Sequence, residues 1–483
     1  MNDDVEFELR EWFRQRLPEE PQTLHQHLAR VVRRPAPGRA LDLPRALAFM
    51  RGMHAAAASL AAVLVVAVAA GSFLWLVNQR NHAAEATPSG TPAVESPRPT
   101  ATSEVSASPS ASPSASPSAS PSASPSPWPS GPIKLVFGPA GEMDSGRFQP
   151  TVTALADGRV LVAGGAGYSI NLDSAEVWDP ATRSFTLTGS LEVARMGATA
   201  TLLADGRVLI AGGEGGNVSP GSVPRALAEA ELYDPATGKF SQTGSMVTGR
   251  TLATATRLAD GRVLLAGGYD EAGHCLDTAE LYDPATGKFS QTGSMVTGRF
   301  EHSAALLHDG RALLAGGYDE TSALRSIELY DPATGTFRQA EGAAAQGAYP
   351  SAVVLQSGKV LIAGGTLAAR PELFDPVRRT STATGSFVHA REGQAAVLLP
   401  NGLVLIAGGN EPVQKNGEYK VLDSLETYDP GTGKFINAGA LGTARTNATA
   451  LVLPGGVLIV GGYGEASGDS RLQTTEYAPF SSS

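Results

Sequence analysis

A nine-residue pattern occurs seven times along this chain. The copies are DGRVLVAGG at Asp157, DGRVLIAGG at Asp205, DGRVLLAGG at Asp260, DGRALLAGG at Asp309, SGKVLIAGG at Ser357, NGLVLIAGG at Asn401 and PGGVLIVGG at Pro454. Asp-Gly and Asn-Gly suit the positive-φ positions of a two-residue turn. The apolar, β-branched run behind them suits a buried strand. The paired glycines permit close approach of another backbone where that strand ends. A second signature follows each first one: AEVWDPATRSF at Ala175, AELYDPATGKF at Ala230 and again at Ala279, IELYDPATGTF at Ile327, PELFDPV at Pro371, LETYDPGTGKF at Leu425 and TEYAPF at Thr475. Glu-x-aromatic reads as a third strand. Asp-Pro-Ala-Thr-Gly reads as a turn with Pro at its preset φ and Gly in the left-handed position, and the Phe beyond it opens a fourth strand.

The first glycines of the pairs stand at 164, 212, 267, 316, 364, 408 and 461, which sets a period of 44 to 55 residues. The stretch AELYDPATGKFSQTGSMVTGR even occurs twice unchanged, from Ala230 and from Ala279, as a recent internal duplication leaves it. A repeating structural unit tolerates such a copy because both copies meet the same neighbours. The composition agrees with an all-β array rich in turns, with 55 Gly and 33 Pro among 483 residues. Cys275 is the only cysteine, so neither an intrachain disulfide nor a cysteine-based zinc site can form.

Period, paired glycines and downstream aromatic together resemble kelch repeats, and the resemblance extends over Ile133–Phe480. It implies that residues 133–483 form a seven-bladed β-propeller of four-stranded blades. Copy five departs most, with Phe374 in place of Tyr and VRRTSTATGSF in place of the usual turn. Copy seven ends early at TEYAPF, and the array opens on an orphan strand, IKLVFG at Ile133. That strand is expected to complete the last blade, close the ring and hide the sheet edges.

Upstream the chain changes character twice. AAAASLAAVLVVAVAAGSFLWLV, residues 55–77, carries no charge and is long enough to cross a bilayer core of about 30 Å. It reads as one transmembrane helix; a signal peptide would not carry so long a leader. Arg33, Arg34, Arg39, Arg45 and Arg51 precede it and Arg80 follows it closely, so the positive-inside rule puts residues 1–54 in the cytoplasm and the repeats outside. Residues 1–54 fit one or two short helices, the first with Val5, Leu9, Trp12 and Phe13 on one face. This segment has a slight likeness to the cytoplasmic parts of bacterial membrane-bound anti-sigma regulators, without the metal-binding His and Cys of the zinc-containing kind. Residues 78–132, with SASPSASPSASPSASPSPWPS, contain almost nothing to bury and read as a disordered stalk.

Strand alternation puts the loop after Gly-Gly and the link to the next copy on one face of the array. From the first Gly to the Asp of the turn the distance is 15, 22, 16, 15, 11 and 21 residues in copies one to six, and length variation of this kind is where binding specificity concentrates. Arg147, Arg195, Arg250, Arg299 and Arg391 stand 17 positions before the first Gly, and Arg445 stands 16 before it; copy five has Gly347 instead. These six Arg either ring the channel mouth and attract an anion or bond the recurring Glu176, Glu231, Glu280, Glu328, Glu372, Glu426 and Glu476. Tyr269, Tyr318 and Tyr463, directly after Gly-Gly, either stack on a sugar or peptide or pack the loops. The series Trp178, Tyr233, Tyr282, Tyr330, Phe374, Tyr428 and Tyr477 reads as packing between blades.

Some kelch propellers are copper radical oxidases resembling galactose oxidase, which need a Tyr–Cys cross-link with His and Tyr ligands. His274, His302, His308 and His389 are the only histidines after Ile133 and their spacing suggests no cluster. No catalytic residue, metal site or cofactor is expected. After Ile133, 26 Lys and Arg stand against 36 Asp and Glu, so no general basic surface for nucleic acid is expected. The reading is a membrane-tethered, extracytoplasmic binding module of bacterial type for a protein or glycan. A sensor signalling to a protein partner of residues 1–54 comes second and an oxidase third.

Overall fold

The computed structural model describes residues 133–482 apart from 169, 217–224, 341–346, 348, 366–369, 413–418 and 465–470. The expected cytoplasmic segment, membrane span and stalk therefore lie outside the described residues. Among the described residues no helix is long and apolar enough to cross a membrane.

Among the described residues, seven four-stranded antiparallel sheets carry the repeats. Their first strands are Thr151–Ala154, Thr199–Leu202, Thr254–Arg257, Ser303–Leu306, Ser351–Val354, Ala395–Leu398 and Thr449–Leu453. Each lies beside the first strand of the next sheet, and Thr449–Leu453 lies beside Thr151–Ala154, so the innermost strands surround a common axis. Second strands such as Val160–Ala163, Val263–Ala266 and Val360–Ala363 are buried at every position. This explains their unbroken apolar sequence, because a strand covered on both faces needs no alternation.

The core lies between sheets. Tyr282 packs with Leu209, Ala211, Leu232 and Met246 of the preceding sheet, and its hydroxyl meets Thr243 Oγ1 at 2.8 Å. The corresponding bonds join Tyr233 to Thr188, Tyr330 to Thr292 and Tyr428 to Thr384. Trp178 uses its indole N–H instead, donating to the Ala140 carbonyl at 2.7 Å.

The Asp-Gly turns differ from the two-residue form. Leu155 N donates to Arg159 O at 2.8 Å and Gly158 N to Leu155 O at 3.1 Å. Only the glycine takes a positive φ, 89°. This is a three-residue loop, a type I turn closed by a left-handed glycine. The aspartate selects it: Asp157 Oδ1 accepts the Arg159 amide at 3.0 Å and Oδ2 its Nε at 2.7 Å. Only the last sheet, where Leu453 faces Gly456, has a two-residue loop.

Closure also shifts along the chain. The strand that completes the last sheet is Gly138–Glu142, paired with Thr474–Pro479 through a bulge, rather than Ile133–Gly138. Ile133 and Lys134 pair with Ser482 and Ser481 in a separate ladder, while Leu135 and Phe137 pack on the core between the sixth and last sheets. Tertiary contacts select GPAGE despite its poor strand propensity. The Ala140 carbonyl accepts both Trp178 Nε1 and, at 2.9 Å, Thr475 Oγ1.

Candidate binding face

The paired glycines and the segment entering each first strand meet at one end of the sheets. Here the six arginines are found, at most 3% exposed. Arg250 shows the pattern. Its Nη1 donates to the carbonyls of Gly267 at 2.8 Å and Thr278 at 3.0 Å, and its Nη2 to Glu280 Oε1 at 3.0 Å. Glu280 also accepts the backbone amides of Val247 and Thr248, at 2.8 and 3.1 Å. Arg147, Arg195, Arg299, Arg391 and Arg445 pair in the same way with Glu176, Glu231, Glu328, Glu426 and Glu476. Burial pulls the Arg250 pKa below its ordinary value, with Glu280 pulling the other way. The structure thus places these arginines inside the fold, pinning the incoming link to its own sheet, and none presents its guanidinium at the mouth.

Two residues beyond each arginine position the backbone turns left-handed. Gln149, Gly197, Leu252, Glu301, Tyr349, Gly393 and Asn447 have φ between 48° and 63°. Their main chains hydrogen-bond in series around the mouth: Gly197 N to Gln149 O, Leu252 N to Gly197 O, Glu301 N to Leu252 O and Asn447 N to Gly393 O, at 2.8–3.3 Å. Strain of this kind in non-glycine residues collects at functional sites. Sequence reasoning missed this ring because the residue types differ at every copy. The distance from the arginine is the only signal.

The mouth is uneven. Tyr269, Phe300, Tyr318 and Tyr349 form a continuous aromatic row, with ring centroids 5.6, 5.7 and 6.4 Å apart in succession. Tyr463 stands apart, edge-on to Phe148 at 5.0 Å, beside a small pocket also lined by Gln149 and Asn447. Three carboxyls accompany the row: Glu214, bonded to Tyr269, and Glu301 and Glu392. Burial pushes Glu301 up to about 7 and Glu392 up to about 7. Tyr318 is pushed up to about 12 by burial and then by Glu392 and Glu301; Tyr419 reaches about 12 by burial and then Glu392. Around this mouth the same end exposes large apolar side chains: Tyr168 at 84% and Ile170 in a loop after Gly-Gly, and Val247, Val296 and Val388, each three residues before a buried arginine.

The histidines are dispersed. His302 is buried, bonded through Nε2 to Thr254 Oγ1 at 2.8 Å and pushed down to about 3 by burial. His274 sits on Asp270 at the surface and His389 beside Glu411. Cys275 is pushed up to about 11 by burial and then by nearby carboxylates. Among the described residues no group of three His, Cys, Asp or Glu side chains could hold a metal ion.

The Kelch motif family model matches residues 254–296 and 299–342, which span the third and fourth sheets. The third and fourth repeats thus carry Kelch motifs, and the sheets are arranged as a β-propeller. Among solved structures, a fungal alcohol oxidase of the AA5 family in complex with copper matches with a TM-score of 0.55 and 16% identity over 72% of this chain and 76% of its own. A structure of YjhT matches at 0.47 and 14% identity, covering 69% of this chain and 95% of that one. No curated protein matches the sequence. At 16% identity the likeness to the oxidase is one of fold. The residues present do not fit the oxidase's copper, since among the described residues no three His, Cys, Asp or Glu side chains converge and His274, His302 and His389 bond to separate partners.

Proposed function

We propose that this chain is a membrane-tethered, extracytoplasmic, seven-bladed kelch module that binds a protein or glycan ligand at its glycine-loop face without catalysis. Kelch repeats are characteristically interaction modules, and the seven sheets with a shared axis support the blade count. The observation that carries the reading is that Tyr168, Ile170, Val247, Val296 and Val388, five of the nine exposed large apolar side chains among the described residues, lie around an aromatic mouth on one face. Exposed apolar groups gathered in this way mark contact surfaces. The uncharged span 55–77 and the arginines before it support the tether and its orientation.

The test is to probe peptide and glycan arrays with the full chain and with a Val247→Asp/Val296→Asp/Val388→Asp variant. Specific binding that the variant loses supports the reading. Background binding by both would remove it.

A further inference from the structure

Six sheets hold a guanidinium in one constellation, and the fifth keeps the acceptors without that donor. Gly364, Arg370 and Glu372 stand where the third sheet has Gly267, Thr278 and Glu280. Glu372 pairs with Ile362 in the same register in which Glu280 pairs with Leu265 and Glu426 with Ile406. The position that supplies arginine elsewhere is Gly347, with φ 102°. Among the described residues no ion pair reaches Glu372, and its Oε2 is buried without a hydrogen-bond partner. Burial holds this carboxyl above its ordinary range, with the Ser381 hydroxyl pulling the other way. A second unpartnered oxygen lies in the following repeat, against Gly364. Gln394, 7% exposed, leaves its Oε1 unpartnered, and its side chain lies against the α-carbon of Gly364. Its Nε2 is already committed to Ser351 Oγ and Ala363 O, both at 3.0 Å. Arg370 does not supply the missing cation, because it is exposed.

We propose that the fifth sheet receives a guanidinium from outside the chain, the arginine side chain of a protein partner, which restores there the contacts that the chain's own arginines make in the other six. A planar guanidinium can meet a carboxylate and a carbonyl together, whereas an ammonium presents a single point of charge. The proposal rests on the binding-face reading only for the source of the arginine. The site itself is testable with a small molecule.

The probe is N-acetyl-arginine amide, titrated calorimetrically into the full chain beside its lysine and citrulline counterparts. Citrulline keeps the shape and removes the charge. The expected result is saturable binding at about 1–10 mM, at least tenfold weaker for both counterparts and at least tenfold weaker to Glu372→Gln, whose folding is checked by thermal melting. No saturable binding, equal binding of the three amides, or unchanged affinity in the variant overturns the proposal. If Glu372→Gln does not fold, the arginine-to-citrulline ratio on the unaltered chain decides: tenfold supports it and equality overturns it. Failure here leaves the wider face standing, because the valine variants test that separately.

Discussion

The third and fifth sheets are copies of one unit and treat their polar groups differently. In the third, Glu280 receives Arg250 and two backbone amides, and Tyr282 bonds Thr243. In the fifth, Phe374 lacks the hydroxyl, and the residue that meets it from the fourth sheet is Ala340, both in one apolar cluster. Both halves of that bond went together, so nothing polar was stranded. The Arg–Glu pair lost only one half, since Gly347 replaced the donor and Glu372 stayed. Deleting both partners of a buried bond is close to neutral, whereas deleting one leaves the other to bear its full desolvation cost. A repeat can therefore drop a polar pair silently, and a surviving half marks the place where something else bears on the sequence.

The largest effect expected from this contrast is in the ion pair itself. Arg250→Ala strands Glu280 in the interior and should cost about 3–5 kcal/mol in chemical denaturation. Glu372→Ala, which removes an acid with no cationic partner, should cost under about 1 kcal/mol or stabilise. Equal losses would break the contrast. A second measurement concerns Glu392, at the neighbouring edge of the mouth. Its carboxyl binds a proton more tightly folded than unfolded, so stability falls as pH rises from about 4.5 to about 7 and the loss is complete above that. Glu392→Gln should flatten this limb, gaining about 1–3 kcal/mol over the parent between pH 4 and pH 8. An unchanged pH profile would show that Glu392 is solvated. A double-mutant cycle sharpens the hydroxyl argument. Phe374→Tyr alone should destabilise by about 1 kcal/mol, and adding Ala340→Thr should recover most of it. The smallest effect concerns Arg379, held at φ 58° where the third sheet has Gly287 at 65°. Arg379→Gly should stabilise by about 0.5–1 kcal/mol in the same denaturation assay.

Much of this was legible from residues alone. Asp-Gly, the apolar run and the paired glycines locate the first hairpin of nearly every sheet, because turn chemistry and burial are local. The Arg–Glu alternative was open to the same reasoning, since both residues recur at fixed distances from Gly-Gly. Three features escaped it. The type of the Asp-Gly turn depends on a side chain folding back, Asp157 onto Arg159. The closing strand GPAGE has no propensity of its own and is selected by Trp178 and Thr475, the latter over 330 positions away. The acid and aromatic side of the mouth joins Glu301, Tyr349 and Glu392 from three successive repeats, and no spacing within one repeat reveals it.

Because Gly138–Glu142 completes a sheet whose other three strands lie between Thr449 and Pro479, a strand made ahead of all seven repeats is joined by strands made near the end. During synthesis the closing segment emerges ahead of the repeats and must stay unpaired until almost the whole array has followed. Loop-closure entropy makes such a joining slow. Any factor that shields residues 138–142 during this interval would govern the yield of closed molecules without touching the finished fold.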